Sequence, residues 1–252
     1  MAFLSKGINP KGVEIIYDEY FHRFYSTIDG ERIRYLSVST FIYKFFPEFD
    51  PDGTIAKNYA LKNDMTVEAV HALWDRKKER SRIMGSHIHE NVEDMLNGRP
   101  IRNEPSDERE LSLMNVTEQL VDSLQKRLDI MGVESVVFDS DVALTGTIDL
   151  CGRSKKDGKL WIIDYKSSNR IDRVNKYNQF GFAPIQHLPN INYMHYSLQL
   201  NMYENLMKRA GYVDSDEPVG KALIHITENG RTTYVVDDLQ KEINDMIESK
   251  RR

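Results

Sequence analysis

The apolar positions of the chain fall into stretches of two different periods. Residues 20–28 and 32–38 are β-prone runs on either side of Asp29-Gly30, a dipeptide that favours a tight hairpin turn, so they read as paired strands. A short helix is expected over the apolar run at 41–46, halted near Pro47, with Ser37, Ser39 or Thr40 either as its cap or as a phosphate-binding, nucleic-acid-contacting helix start. Asp52-Gly53 marks another turn and residues 55–62 read as helical. Thr66 then caps a helix that passes Trp74, continues through a polar stretch at 76–82 and ends at Asn97-Gly98. Asp107 and Glu110 open a further helix, whose stripe of Leu111, Met114, Leu120, Leu124 and Leu128 faces a core and which is expected to stop at Met131-Gly132.

Beyond that point the period changes to two. A strand is expected over 134–138, followed by two apolar runs bounded by Gly146, Gly152 and Gly158. Lys155-Lys156-Asp157-Gly158 between them has the chemistry of a hairpin turn. Residues 167–192 show no clean period and contain Gly181, Pro184 and Pro189, the mark of a long functional or disordered loop. Residues 193–210 return to a helix closed by Gly211. A second hairpin spans 219–227 and 232–236 across Glu228-Asn229-Gly230, and a helix over 238–250 completes the chain.

The 252 residues, 40% hydrophobic and 29% charged, suit one large domain with a substantial core. No apolar run reaches the length of a membrane span, and the first ten residues lack the long apolar core of a secretion signal, which leads us to expect a cytoplasmic protein without a membrane partner. Cys151 is the single cysteine, so an internal disulfide, a cysteine-rich zinc module and a four-cysteine iron–sulfur cluster are excluded. There is no glycine-rich phosphate loop ending in Lys-Ser/Thr, so no built-in ATP motor is expected. A net charge of -5 argues against coating nucleic acid by bulk attraction. Basic residues nevertheless cluster locally at Arg76, Lys77, Lys78, Arg80 and Arg82, at Arg153, Lys155, Lys156 and Lys159, and at Arg170, Arg173 and Lys176. These are either solvated faces or phosphate contacts.

The candidate chemistry concentrates in the 144–166 hairpin. Each apolar run carries a carboxylate, Asp149 or Asp164, and Lys166 follows Asp164 by two positions, on the same face of its strand. A buried charge needs a partner or a metal, so these residues form either a salt bridge or the oxygen ligands of a hard divalent cation with an ammonium beside the reacting phosphate. On the long helix, Gly85, His89 and Glu93 share a face; His89 is a ligand or a structural histidine, and Glu93 stands where a zinc protease would have its second histidine. Glu134 is either near the same acidic cluster or an exposed strand start. Gln199 and Tyr203 lie one helical turn apart, which packing alone would also explain. In the long loop, Tyr177, Phe180 and Phe182 interleave with Arg173 and Lys176; they stack on unpaired bases or fold the loop over the core.

Taken in order, Gly85/His89/Glu93, Gly146-Thr-Ile-Asp149, Asp164-Tyr-Lys166 and Gln199-x-x-x-Tyr203 resemble the PD-(D/E)xK nuclease superfamily in its RecB-like branch. The stretch from Tyr35 to Thr40, with Ser37, Ser39 and Thr40, is similar to a segment of that branch's stand-alone exonucleases of phage and mitochondrial type. The resemblance implies an α/β fold, a central mixed β-sheet flanked by helices, with a restriction-endonuclease-like core at 85–252 behind a helical N-terminal elaboration at 1–84. It further implies DNA hydrolysis dependent on Mg²⁺ or Mn²⁺. His89, Asp149, Asp164 and the carbonyl of Tyr165 would hold the metal, with Glu93 or Glu134 as possible additions. Lys166 would orient or activate water and stabilise the phosphorane, and Gln199 and Tyr203 would position Lys166 or the phosphate. The expected partners are single-stranded DNA or DNA ends and proteins of replication or recombination, in the host cytoplasm if the chain is phage-encoded.

Overall fold

A computed structural model describes residues 7–48 and 54–250. The turn expected at Asp52-Gly53 lies outside the described residues. The elements run β1 Ile16–Asp18, β2 Arg23–Ile28, β3 Glu31–Arg34, β4 Leu36–Ser37, α1 Val38–Tyr43, α2 Thr54–Lys62, α3 Val67–Leu96 and α4 Glu108–Arg127. There follow β5 Leu128–Asp139, β6 Leu144–Ser154, β7 Leu160–Lys166, α5 Asn192–Ala210, β8 Val219–Thr227, β9 Gly230–Val235 and α6 Gln240–Lys250.

Local signals account for the element ends. Thr66 accepts a hydrogen bond from the Ala69 amide at the start of α3, and Asp107 accepts one from Glu110 at the start of α4. The Glu110 carboxylate in turn accepts from the Ser106 amide. Gly211 closes α5 in the left-handed region at φ 80°. Three expected boundaries are corrected. The helix expected to reach Met131-Gly132 ends at Arg127, because 128–139 forms one long strand with a β-bulge between Ile130 and Gly132. The N-terminal strands are shorter than expected: Tyr20 and Phe21 belong to a turn, and Val38 already begins α1.

The main sheet is mixed, in the order β4-β6-β7-β8-β9, with β5 also paired to β6. β5 runs antiparallel along β6 from Leu144 to Ser154 and occupies one of its edges. The other edge is shared, because β4 pairs parallel at Leu144 and Thr145 while β7 pairs antiparallel from Leu150 to Arg153. Residues 146–149 lie in the gap between those two partners, and there the sheet splays. One face of the sheet packs on α1, α5 and α6 through Phe41, Ile148, Leu198, Met202 and Met246. The other packs on α3 and α4 through Ile88, Val92, Leu120, Ile163 and Ile224. β1, β2 and β3 form a separate antiparallel sheet, which docks on β5 through Ile15, Tyr35 and Phe138. No helix among the described residues is long and apolar enough to cross a membrane.

Candidate metal centre and active site

The gap in the sheet brings four elements to one point. Asp149 on β6 and Asp164 on β7 follow directly on the last paired rung, Leu150 with Ile163. Asp149 Oδ2 accepts a hydrogen bond from the Tyr165 amide at 2.9 Å. From β5, Glu134 lies across from Asp149, between the rungs Val133–Leu150 and Ser135–Ile148. Its φ of 47° is left-handed, an unfavourable conformation for a residue with a Cβ. α3 delivers His89, whose Nδ1 is 3.0 Å from Glu134 and 3.6 Å from Asp149, and whose Nε2 is 3.2 Å from the Tyr165 carbonyl oxygen.

Every neighbour of the imidazole is therefore an acceptor, and the arrangement suits a ring that donates from both nitrogens. Burial opposes that charge, but Asp149 and Glu134 outweigh it and raise the His89 pKa to about 9. Burial, and then the charge of Asp164, raises Asp149 to about 7. Asp164 is buried and grips Lys166, with Nζ at 2.7 Å from Oδ1 and 2.6 Å from Oδ2. The second contact is short but poorly aligned, so Oδ2 counts as a buried acceptor with no hydrogen bond. Burial disfavours the Lys166 charge too, yet Asp164 and Asp149 hold its pKa above the ordinary lysine value.

These residues fit a hard or borderline divalent cation. One nitrogen and two carboxylate oxygens, from His89, Glu134 and Asp149, lie within 4.8 Å of one another. The Tyr165 carbonyl faces the same imidazole, and Asp164 Oδ2 has an unused lone pair. Asp164 itself stands outside the three-residue group, engaged with Lys166. Proton occupancy gives a test. Cation binding requires neutral His89 and ionised Asp149, so it must displace the protons that their raised pKa values retain. Affinity for Mn²⁺ should rise between about pH 7 and about pH 9, by about tenfold per unit for one displaced proton. Calorimetry in buffers of different ionisation heat should show proton release; a pH-independent affinity with no release would remove His89 from the ligand set.

α5 lines the other side of Lys166. The Gln199 side chain donates to the Tyr203 hydroxyl at 2.6 Å, and Lys166 Nζ lies 5.2 Å from the Tyr196 ring. Gly146 is required where it stands: a Cβ there would come 2.4 Å from the Tyr203 ring. Gln199 and Tyr203 thus reach the site, but they bond to each other rather than to Lys166. Tyr196 was not singled out by sequence; its position three residues before Gln199 is the signal that could have found it.

Other candidates are placed differently. Glu93 lines the groove but is ion-paired with Arg99 and Arg102. Ser37 caps α1, accepting from the Thr40 amide and donating to the Thr40 hydroxyl, with Ser39 3.3 Å away. A groove of about 730 Å³ leads to His89 and Lys166, lined along α3 by Lys78 and Arg82 but not by Arg76, Lys77 or Arg80. Arg80 pairs with Asp107 and Arg82 with Glu79; Arg170 and Lys176 share Asp172. Arg173 lies over the rings of Tyr193 and Tyr234. In the long loop the buried anchors are Ile185 and Leu188, while Tyr177, Phe180 and Phe182 are exposed, so aliphatic residues rather than these aromatics tie it to the core.

A sequence profile of the PD-(D/E)XK nuclease superfamily matches residues 56–251, more than half of the chain. A search of curated proteins finds no match.

Proposed function

The chain belongs to the PD-(D/E)XK nuclease superfamily, and on that footing we propose that it is a metal-dependent DNA exonuclease that prefers single strands and serves replication, recombination or repair. The observation that carries this reading is the Asp164–Lys166 pair standing beside the His89, Glu134 and Asp149 donors at the gap in the sheet.

His89, Glu134, Asp149, Asp164 and the carbonyl of Tyr165 would hold Mg²⁺ or Mn²⁺. The bound cation supplies Lewis-acid polarisation of the phosphoryl group and a water of lowered pKa. In hydrolysis a water oxygen bonds to phosphorus as the bond to the leaving sugar oxygen breaks. Lys166, held protonated by Asp164 and Asp149, acts there as a hydrogen-bond donor to the charge gathering on the phosphoryl oxygens, and not as a base. Asp164 fixes the direction of that ammonium. Tyr196, Gln199 and Tyr203 close off its far side and limit where the nucleic acid can enter.

The single-strand preference rests on the exposed aromatics of the 167–192 loop, Tyr177, Phe180 and Phe182, which suit unstacked bases. Lys78 and Arg82 on the groove wall suit the phosphate backbone. Linear and circular single-stranded DNA, incubated with Mg²⁺ or Mn²⁺, test the proposal: the linear strand should be degraded and the circle should survive. Circles cut as fast as linear strands would make the protein an endonuclease. No cleavage of either would remove the proposed exonuclease activity.

A further inference from the structure

The β1–β3 sheet lies outside the family-matched residues, and its exposed face has a composition that core packing does not explain. Cross-strand register places Asp18 opposite Arg23, Tyr25 opposite Arg34 and Thr27 opposite Arg32. Residues two apart in a strand share a face, so Arg23, Tyr25, Arg32 and Arg34 all project to one side. The other side carries Phe24 and Ile33, which pack with Ile15, Tyr35 and Phe138. The arginines therefore have no part in docking the sheet.

Their pairing is incomplete. Arg32 bonds Asp18 at 3.0 Å and lies 3.7 Å from the centre of the Tyr25 ring. The side chains of Arg23 and Arg34 make no ion pair or hydrogen bond among the described residues, although Glu14, Glu19 and Glu31 belong to the same part of the chain. At the β1–β2 turn, Tyr20 is 86% and Phe21 63% exposed, the two rings meeting edge to face. Phe21, Arg23, Phe24, Tyr25, Arg32 and Arg34 line a groove of about 340 Å³ together with Asp18, the carboxylate that Arg32 holds. Guanidinium groups beside solvent-facing aromatic rings match the phosphates and unstacked bases of a single strand.

We propose that this face is an accessory single-strand nucleic-acid site, separate from the catalytic groove, with Arg23 and Arg34 on phosphates and Phe21 under a base. The proposal builds on the nuclease reading, because it gives a hydrolase that shortens strands a second hold on them.

The test uses the full chain, with fluorescent oligo-dT of about 30 nucleotides bound in EDTA, so that no cleavage occurs, across a range of NaCl concentrations. For the wild type, log affinity should fall linearly with log salt. Arg23→Ala with Arg34→Ala should flatten that slope by about 1.4, two phosphate contacts at about 0.7 each on a single strand. Phe21→Ala should weaken binding by about fivefold or more without changing the slope, as the loss of one stacked base. All three positions are exposed, so melting temperatures should stay at the wild-type value, and cleavage of a hexamer, held by the catalytic groove, should keep its rate. Wild-type affinity and slope in these variants would overturn the proposal, as would loss of hexamer cleavage, which would place the residues in the catalytic groove. Arginine-dependent binding without cleavage by the wild type would remove the exonuclease proposal and leave the accessory site. Cleavage with arginine-independent binding would do the reverse.

Discussion

Lys166→Ala is expected to lower the rate of DNA cleavage by about 10²- to 10³-fold, the cost typical of removing one preorganised donor from a charge-stabilising site. The loss should fall on kcat with KM nearly unchanged, because the ammonium meets its full charge only in the transition state. Binding of a single strand in EDTA should therefore survive the substitution. Lys166→Arg tests the geometry separately: it keeps the charge, but a planar fork that pairs with both oxygens of Asp164 aims its remaining donors differently from the compact ammonium. It should recover only part of the rate. The pH profile gives a further check. Burial acts against the Lys166 charge, but Asp164 and Asp149 hold it, so a falling limb due to its deprotonation belongs above the ordinary lysine value of about 10.4. A variant with wild-type kcat would show that the Asp164–Lys166 contact is a structural salt bridge, the other reading the sequence allowed.

How far that site could be read without coordinates differs from residue to residue. Asp149, Asp164 and Lys166 were visible because charge inside two apolar runs is expensive and therefore conspicuous. The hairpin that joins them was visible because its turn and its period of two agree. Glu134 was harder to place. Its approach to His89 depends on a bulge and a left-handed residue in β5, and neither follows from the local sequence, where Met131-Gly132 resembles a helix stop. The gap at 146–149 was not legible at all. It arises because two strands far apart in sequence, β4 and β7, share one edge of β6, a tertiary property that no window of sequence contains. The basic clusters were legible as charge, and the structure adds their partners. Arg82, Arg170 and Lys176 meet carboxylates close to them in sequence, Glu79 and Asp172, whereas the Asp107 that meets Arg80 is supplied by the fold.

Glu204→Ala should destabilise the protein by about 3–5 kcal/mol, the usual cost of stranding one member of a buried ion pair. Glu204 on α5 and Lys221 on β8 are only 4% and 5% exposed and bond directly to each other beneath α6. Gln240 at the start of α6 also donates to Glu204, and Lys208 reaches it from one turn along α5. Removing the carboxylate leaves the buried Lys221 ammonium without its ion-pair partner. For a chain of this size each kcal/mol lowers the melting temperature by roughly 2–4 °C, so a fall of roughly 6–20 °C is expected. The double substitution Glu204→Leu with Lys221→Met removes both charges and should recover most of the loss, since the desolvation cost disappears with the attraction. Such non-additivity is the signature of the pair in a double-mutant cycle followed by urea melts. A single-variant loss within about 0.5 kcal/mol, as for a surface change, would mean that water reaches Lys221. The consequence for the site is indirect. α5 also carries Tyr196, Gln199 and Tyr203, so a helix loosened at Glu204 would misplace the wall behind Lys166 before the sheet itself gave way.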